Sequence, residues 1–378
     1  MAAITNVEAF QVAWAGDKPG PRSSFVRITT DDGIQGYGEC TPMHGGLHVL
    51  GIIANNLAPA LVGKDPLDHA VVLDTLYHRF IKLGPEGSLT AAIAALDIAL
   101  WDIKGKLLGQ PVYKLLGGAW RTEIPFYTSL GQNAQRAVDD VVRAVEKRLK
   151  RDSPAAVKIR FDGDRTVLDH DIPGDIAKAR AVRKLVGDGF MLGFDANNGY
   201  SVGGAIKVGR ALEDLGYAWF EEPVQHYYVE AMGEVARRLD IVVTAGEQTY
   251  TMQGVVDLID AGIKVIQCDP LKMGGITGLA QCIALAFAHG VEIVPHQTQP
   301  TIGHAANLHV NAIKMHATKP MEWNDPEERD TALMQTIMRT PWRMRNGRFQ
   351  LPSGPGLGIE IDSDRLGKRI RPVETEGN

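Results

Sequence analysis

Residues 218–223 read AWFEEP, an apolar run that ends in two adjacent carboxylates and a proline. Burying an unpaired carboxylate is costly, so a buried-looking strand that stops at two acids needs an explanation. Similar runs lie on either side. Asp195 in FMLGFDAN precedes Glu221 by 26 residues, and Glu247 in IVVTAGE follows it by 26. This regular spacing indicates repeats of one strand-and-helix unit, with the three acids at equal positions on successive strands.

The alternation continues over most of the chain. Short runs rich in β-branched and aromatic residues are separated by amphipathic stretches long enough for one helix. Eight such runs occur in order: PFYTSL, AAVKIRF, FMLGFDAN, YAWFEEP, IVVTAGE, KVIQCD, VEIVPH and PMEWND. Eight strands alternating with helices are typical of a (β/α)8 barrel. We therefore predict an α/β fold, a modified (β/α)8 TIM barrel.

The residues before the barrel follow another pattern. SSFVRITTDDGIQGYGEC predicts two strands around an Asp-Asp-Gly turn, and LTAAIAALDIALWDIKGKLLG predicts a helix. We expect an N-terminal α+β domain over residues 1–118 and the barrel over 119–350. Residues 351–378 are expected to return to the N-terminal domain.

Composition excludes several functional classes. A formal net charge of −5 argues against a nucleic-acid partner, which requires a basic face. Cys40, Cys268 and Cys282 are odd in number and far apart, so neither disulfides nor a zinc site is expected. No signal peptide and no apolar run of membrane-spanning length is recognisable. We expect a cytoplasmic homo-oligomer that acts on a small molecule, with no membrane partner.

The three equally spaced acids predict a metal site. The carboxyl ends of parallel barrel strands meet at one mouth, so Asp195, Glu221 and Glu247 should converge there. Carboxylates so close together take up protons unless a cation is present. Hard oxygen ligands on rigid strand ends favour Mg²⁺. Glu222 should face away from Glu221 and act as a hydrogen-bond acceptor or salt-bridge partner.

The other predicted strands also end in charged residues. Lys158 and Arg160 share one face of the second strand, since their spacing is two. Asp269, His296 and Glu322 end the sixth, seventh and eighth strands. A lone aspartate at a strand end often only caps the next helix. Charged groups at so many consecutive strand ends favour an active site instead.

With these motifs the chain resembles the enolase superfamily, and in particular its mandelate racemase/muconate lactonizing enzyme-like branch. The resemblance implies metal ligands at Asp195 of DAN, Glu221 of EEP and Glu247 of GE. It also implies a reaction, abstraction of the proton α to a carboxylate with Mg²⁺ stabilising the enediolate. Asn197 of the same DAN motif is expected to contact substrate.

The resemblance further implies a His–Asp dyad at His296 of PHQ and Asp269 of QCD, and an acid at Glu322 of MEWND. His296 is then the base, and Asp269 fixes its tautomer. Lys158 adds a cationic donor to the substrate carboxylate. Glu322, held protonated by its anionic surroundings, is expected to donate a hydrogen bond to the same carboxylate.

One departure from the family pattern narrows the reaction. Many members carry Lys-x-Lys on the second strand, with the second lysine as a base, whereas this chain has Arg160. Guanidinium is a poor base, so a single dyad favours β-elimination over two-base racemisation. We therefore expect an acid-sugar dehydratase. A racemase, epimerase or lactone cycloisomerase stays open, as does a non-catalytic binder of metal or sugar acid.

The resemblance also implies that the far end of the substrate meets two loops of an N-terminal α+β capping domain, here AGDKPGPR and TPMHGGLH. Arg22, His44 and His48 are the candidate contacts because such polar side chains can recognise hydroxyl groups. Neither the length of the sugar acid nor its number of carboxylates can be derived from these loops.

Overall fold

The computed structural model of the chain describes residues 2–14, 22–41, 46–324, 334–342 and 344–371. Within these residues an antiparallel sheet with helices precedes a larger, mostly parallel sheet with helices. The α/β prediction with an N-terminal domain and a barrel is confirmed.

The N-terminal domain has a four-stranded sheet in the order β14-β1-β2-β3. Its strands are β1 (Ile4–Ala13), β2 (Arg22–Thr30), β3 (Gln35–Glu39) and β14 (Ile370–Arg371). Its helices are α1 (Leu47–Ile52), a π-helical turn (Ile53–Leu57), α2 (Ala58–Leu61), α3 (His69–Phe80), α4 (Ser88–Leu107) and α5 (Val112–Leu115). The predicted hairpin is β2 and β3, and the predicted helix is α4. Because β14 pairs with β1, the C-terminal segment lies against this sheet.

All eight predicted barrel strands are present. They are β4 (Glu123–Leu130), β5 (Ala156–Arg160), β6 (Met191–Asp195), β7 (Trp219–Glu221), β8 (Val242–Ala245), β9 (Val265–Ile266), β10 (Glu292–Ile293) and β11 (Met321–Asn324). The helices after the first seven strands are α6 (Val138–Asp152), α7 (Ile172–Val186), α8 (Val202–Asp214), α9 (Val229–Arg238), α10 (Met252–Ala261), α11 (Gly275–Ala288) and α12 (Ile302–Ala312).

The strands from β4 to β10 pair in parallel with their sequence neighbours, and β11 pairs in parallel with β4. No strand pairing joins β10 to β11 within the described residues, so the ring is open there. Strands β12 (Met344–Arg345) and β13 (Arg348–Gln350) form an antiparallel hairpin, and β13 pairs with residues 123–125 at the start of β4. The short helix α13 (Ser363–Gly367) precedes β14. Since the eight strands run in one direction, their carboxyl ends face one mouth.

Helix α4 packs against α11 and joins the two domains. Asp97 of α4 accepts hydrogen bonds from the backbone nitrogen of Thr277 (3.0 Å) and from its hydroxyl (2.5 Å). Trp101 donates its indole N–H to the same hydroxyl (2.9 Å). Gly275 allows this approach, because a Cβ there would lie 2.2 Å from Asp97 Oδ2 and its φ is +78°.

A second contact links the N-terminal domain to the barrel mouth. Glu39, at the end of β3, is fully buried and accepts hydrogen bonds from Thr301 Oγ1 (3.0 Å) and Gly303 N (2.9 Å) at the start of α12. Burial, with Asp269 nearby, raises the pKa of Glu39 to about 8. The N-terminal domain therefore contacts the segment that follows His296.

Cys40, Cys268 and Cys282 are free and buried. No helix in the described ranges is long and apolar enough to cross a membrane.

Candidate active site

A buried lysine lies at the centre of the barrel mouth. Lys158 Nζ is 2.7 Å from Glu221 Oε1, 2.8 Å from Glu322 Oε1 and 3.3 Å from Asp195 Oδ2. Burial alone lowers the pKa of Lys158, but these carboxylates outweigh burial and raise it well above its usual value. Lys158 is therefore a charged ammonium that forms ion pairs with carboxylates on three strands.

The carboxylates around this ammonium carry more negative charge than it can neutralise. Burial and the neighbouring carboxylates raise the pKa values of both Asp195 and Glu221. Glu221 Oε2 accepts a hydrogen bond from Gln267 Nε2 at 2.7 Å, and Asp195 Oδ1 accepts one from the Asn197 backbone at 2.8 Å. Asp195 Oδ2 has no hydrogen-bond donor in the described part of the chain.

The predicted dyad is assembled beside this cluster. His296 Nδ1 lies 2.7 Å from Asp269 Oδ2, and Asp269 Oδ1 accepts a hydrogen bond from the Leu271 backbone at 2.7 Å. His296 Nε2 lies 3.2 Å from Glu247 Oε2. Burial lowers the pKa of His296, but Glu247 and Asp269 outweigh burial and raise it above the ordinary value. Asp269 thus orients the ring through Nδ1 and turns Nε2 toward Glu247.

Glu247 does not occupy the strand position that its spacing predicted. Glu221 pairs with Asp195 on one side and with Thr244 on the other, so Glu247 lies three residues beyond the register of Glu221. The equal spacing of 26 residues therefore does not mean equal positions, because β8 ends at Ala245 and the chain turns before Glu247. Burial raises the pKa of Glu247, yet His296 and other cations lower it to about 2.

Glu222 also departs from strand alternation. Strand β7 ends at Glu221, and Glu222 has φ +39°, in the left-handed region. Glu222 is fully buried and accepts a hydrogen bond from Asn198 Nδ2, in line with the predicted acceptor role. Burial, Glu247 and Asp195 raise its pKa well above the usual value, so its carboxyl lies within electrostatic reach of the acid cluster.

Glu322 is not the neutral acid that we expected. Burial raises its pKa, but Lys158 and His296 outweigh burial and hold the pKa below the usual value. Its second oxygen accepts a hydrogen bond from the Gln297 backbone at 3.1 Å. The prediction of a protonated Glu322 is therefore wrong: a carboxylate paired with an ammonium is a hydrogen-bond acceptor, not a donor.

The donor set fits a divalent cation in charge and chemistry. Six buried carboxylates belong to this region: Asp195, Glu221, Glu222, Glu247, Asp269 and Glu322. The buried lysine and arginine side chains beside them are Lys158, Arg160 and Lys272. If all six carboxylates are ionised, they exceed these three cations by three formal negative charges, which favours binding of a further cation. Hard carboxylate oxygens match Mg²⁺, and Asp195 Oδ2 accepts no hydrogen bond from the described residues although it forms an ion pair with Lys158 at 3.3 Å.

The three predicted metal ligands nevertheless do not form one metal-binding group within the described residues. In the described ranges no three His, Cys, Asp or Glu side chains form a group that could hold a metal ion as they stand. The physical reason is the position of Lys158, whose ammonium contacts Asp195 and Glu221, while Glu247 contacts His296. The predicted ligand set of Asp195, Glu221 and Glu247 stays a prediction.

A cavity of about 380 Å³ opens next to the dyad. Its lining is mostly polar: Thr41, Arg160, Asp162, Gly163, Arg165, Asn197, Glu247, Gln248, Lys272, His296 and Thr298. Arg160 lines it, and its Nε donates a hydrogen bond to Asp162. Asn197 lines it too, with φ +46°. A cavity of this size and polarity suits a small, highly hydroxylated molecule.

Of the contacts predicted on the capping loops, Arg22 and His48 do not line this cavity. Arg22 is exposed and donates a hydrogen bond to Gln11 Oε1 at 3.0 Å, and His48 is exposed on α1. His44 lies outside the described residues. Thr41 is the lining residue from the N-terminal domain. Loop composition could not distinguish these positions, because it carries no information on where a loop side chain points.

Two cationic lining residues were missed by sequence reasoning. Lys272 follows Asp269 by three residues, and Arg165 follows Arg160 by five, so both lie beyond the strand ends that were searched. Each of these two loops follows a strand that carries a candidate residue. A basic residue in such a loop could therefore have been predicted to line the site. In a barrel those loops form the wall of the mouth.

Comparison with known families agrees with this architecture. The family model described as enolase C-terminal domain-like matches residues 140–365, and the mandelate racemase/muconate lactonizing enzyme N-terminal domain matches residues 10–117. The chain belongs to the mandelate racemase/muconate lactonizing enzyme family of the enolase superfamily. The resemblance to this family that the sequence indicated is thereby confirmed.

One similar solved structure is the crystal structure of a mandelate racemase/muconate lactonizing protein from Paracoccus denitrificans complexed with magnesium. That protein is 61% identical to this chain, with a TM-score of 0.94, and the match covers 98% of this chain and 99% of the other. The D-galactarolactone cycloisomerase of Agrobacterium fabrum is 32% identical over 90% of this chain and 89% of its own length. The D-galactonate dehydratase of Ralstonia nicotianae is 31% identical over 93% of this chain and 92% of its own length.

Proposed function

We propose that this protein is an Mg²⁺-dependent acid-sugar dehydratase, a hydro-lyase that converts a sugar acid into its 2-keto-3-deoxy product. The observation that carries the proposal is the His296–Asp269 dyad beside the buried carboxylate cluster. The relatives named as galactonate dehydratases act in the same reaction class, which supports it.

The chemical problem is the weak acidity of the proton α to a carboxylate. Removing that proton places additional negative charge on a group that is already anionic, so cationic groups must lie where the charge develops. Mg²⁺, held by Asp195, Glu221 and Glu247, would supply a divalent charge at the substrate carboxylate. Lys158 is the cation that the protein itself places among the strand ends, and it can donate to a carboxylate oxygen.

His296 is the group that moves the proton. Because Asp269 engages Nδ1, Nε2 is the nitrogen available to take the α-proton. Asp269 also stabilises the imidazolium that forms. The same Nε2–H then protonates the 3-hydroxyl as it leaves, so the proton is returned to the departing water.

The arrangement favours one base rather than two. Arg160 occupies the family's second-lysine position, contacts Asp162 and cannot lose its proton at ordinary pH. If one imidazole removes the proton and protonates the leaving group, both must depart from the same side of the C2–C3 bond. We therefore infer a syn elimination, with Arg160 in a substrate-binding role.

A lactone cycloisomerase is the second candidate function. The A. fabrum cycloisomerase is as similar to the chain as the dehydratases are, so identity alone does not separate them. Proton transfer by His296 would serve either reaction. A non-catalytic sugar-acid binder is a third alternative, in which the dyad would have no chemical role.

Product analysis distinguishes these functions. The protein is incubated with a library of aldonates, aldarates and their lactones in the presence of Mg²⁺ and semicarbazide. A dehydratase produces a 2-keto acid whose semicarbazone absorbs in the ultraviolet, and this is the expected result. Conversion of a lactone without a semicarbazone supports the cycloisomerase, and no conversion of any compound contradicts both enzymatic functions. His296→Asn is the control for contaminating activity.

A further inference from the structure

Two cationic side chains on the wall of the 380 Å³ cavity contact neutral acceptors rather than carboxylates. They are Lys272, in the loop after β9, and Arg165, in the loop after β5. Within the described ranges each has hydrogen-bond partners, but neither has a carboxylate within ion-pair distance. A cation beside a cavity without its own carboxylate is suited to bind an anion from solution.

Lys272 is held in place by uncharged oxygens. It is 4% exposed, and its Nζ donates to the backbone oxygen of Glu247 at 2.8 Å and lies 3.4 Å from Gln248 Oε1. Burial raises the pKa of Glu247, and His296 and then Lys272 lower it, so Lys272 acts on the acid cluster. Unlike Lys158, however, Lys272 makes no ion pair with a carboxylate in the described ranges. An ammonium has three N–H donors, so these two contacts leave one for a ligand in the cavity.

Arg165 approaches the same region from the other side of the mouth. Its Nε donates to Asn197 Oδ1 at 3.1 Å, its Nη2 donates to the same oxygen, and the residue is exposed. Arg165 and Lys272 line the same cavity of about 380 Å³, so the two positive groups face one space. Arg160 differs from both, because Asp162 accepts its Nε–H.

We propose that Lys272 and Arg165 form an anion subsite that binds a second carboxylate, so that the protein prefers dicarboxylic sugar acids to monocarboxylic ones. This inference rests on the proposed dehydratase function, in which the first carboxylate lies at Lys158 and the acid cluster. A terminal hydroxymethyl group would replace a charge-assisted hydrogen bond with a neutral one. Charge-assisted bonds are stronger by about 1 kcal/mol or more, which corresponds to about a fivefold or larger preference.

The test compares substrates that differ only at the far end. D-galactonate and galactarate share their configuration from C2 to C5 and differ in a terminal CH₂OH or carboxylate, as do D-gluconate and D-glucarate. Binding of each pair is measured by calorimetry with Mg²⁺, and turnover is measured by 2-keto acid formation. We expect at least a fivefold tighter Kd for the diacid of the pair that binds, and a higher kcat/KM for that diacid if the pair is turned over.

Variants assign the preference to the two cations. Arg165→Gln changes an exposed side chain, so its folding should be unaffected, and Lys272→Met removes the buried ammonium. Each should reduce the diacid-to-monoacid ratio at least threefold. Lys314→Met is the control, because Lys314 is also a buried lysine but does not line the cavity. Its Nζ donates to the backbone oxygen of Ile293 at 2.6 Å and lies 3.9 Å from Glu292 Oε1. Its ratio should equal that of the wild type.

The outcomes separate the subsite from the reaction. Equal binding of monoacid and diacid, or a ratio that Arg165→Gln and Lys272→Met leave unchanged, overturns the subsite even if a 2-keto acid is formed. A diacid preference that both variants reduce supports the subsite, and if no 2-keto acid forms from any compound, the dehydratase function alone is overturned.

Discussion

Replacing Lys158 with methionine tests whether the acid cluster needs a cation. Lys158 is 1% exposed and lies within 3.3 Å of three buried carboxylates. Removing one partner of a buried ion pair typically costs about 3–5 kcal/mol. For cooperative unfolding of 378 residues at about 2.1 cal/mol/K per residue, this cost lowers the Tm by about 4–6 °C.

The size of this loss should depend on pH and on Mg²⁺. The pKa values of Asp195 and Glu221 are raised in the folded protein, so the stability linked to them is present in acid and is lost as pH rises. Without Lys158 both pKa values rise further, and the deficit of Lys158→Met therefore grows with pH. Mg²⁺ should raise the Tm of the variant more than that of the wild type, because a cation that binds the folded state stabilises it.

Differential scanning calorimetry at acid and neutral pH, with and without Mg²⁺, measures these shifts. Lys314→Met is the matched control, since its buried lysine contacts the Ile293 carbonyl rather than the cluster, and its deficit should not respond to Mg²⁺. A deficit of Lys158→Met below about 1 °C at neutral pH, or one that neither acid nor Mg²⁺ reduces, would refute the reasoning.

Three further predictions follow from the site and the domain interface. Glu221→Gln should abolish Mg²⁺-dependent turnover without changing the far-UV circular dichroism, whereas full turnover in excess EDTA would contradict a metal role. In the wild type, kcat/KM should rise with pH through a pKa above the ordinary histidine value, because the base must be neutral. Asp269→Asn should move this rise to lower pH and slow turnover. A rise that stays at the same pH in Asp269→Asn would argue against the dyad. Burial raises the pKa of Asp97 to about 7, so its contribution to stability is lost as pH rises from about 4 to 7. Asp97→Asn should therefore gain Tm relative to the wild type over that window, and a pH-independent difference would contradict this.

The barrel was predictable because its pattern repeats. Each strand is a short apolar run followed by room for a helix, and all eight runs became strands. The convergence of Lys158 with Glu221 follows from the parallel direction of the strands. Asp269 and His296 were expected to end their strands, but each lies three residues beyond its strand, and because the two offsets are equal the residues still meet. Positions at strand ends could therefore be predicted to lie together without any knowledge of loop structure.

Features that depend on register, distance or loop path could not be predicted. Glu247 lies beyond the strand because the chain turns after Ala245, and constant spacing in sequence does not reveal this. The ionised state of Glu322 depends on its 2.8 Å contact with Lys158, which only packing determines. Lys272 reaches the cavity from a loop, where no periodicity indicates the direction of a side chain.

Proton exchange by His296→Asn tests the central claim most directly. A turned-over sugar acid is incubated in D₂O with Mg²⁺ and either the wild type or the variant, and mass spectrometry and semicarbazide detection follow deuterium at C2 and formation of 2-keto acid. If His296 is the single base, the wild type forms 2-keto acid, and the variant shows neither dehydration nor C2 exchange while retaining the wild-type circular dichroism spectrum. Exchange at C2 that persists in His296→Asn at the wild-type rate would contradict this assignment and show that another group removes the α-proton.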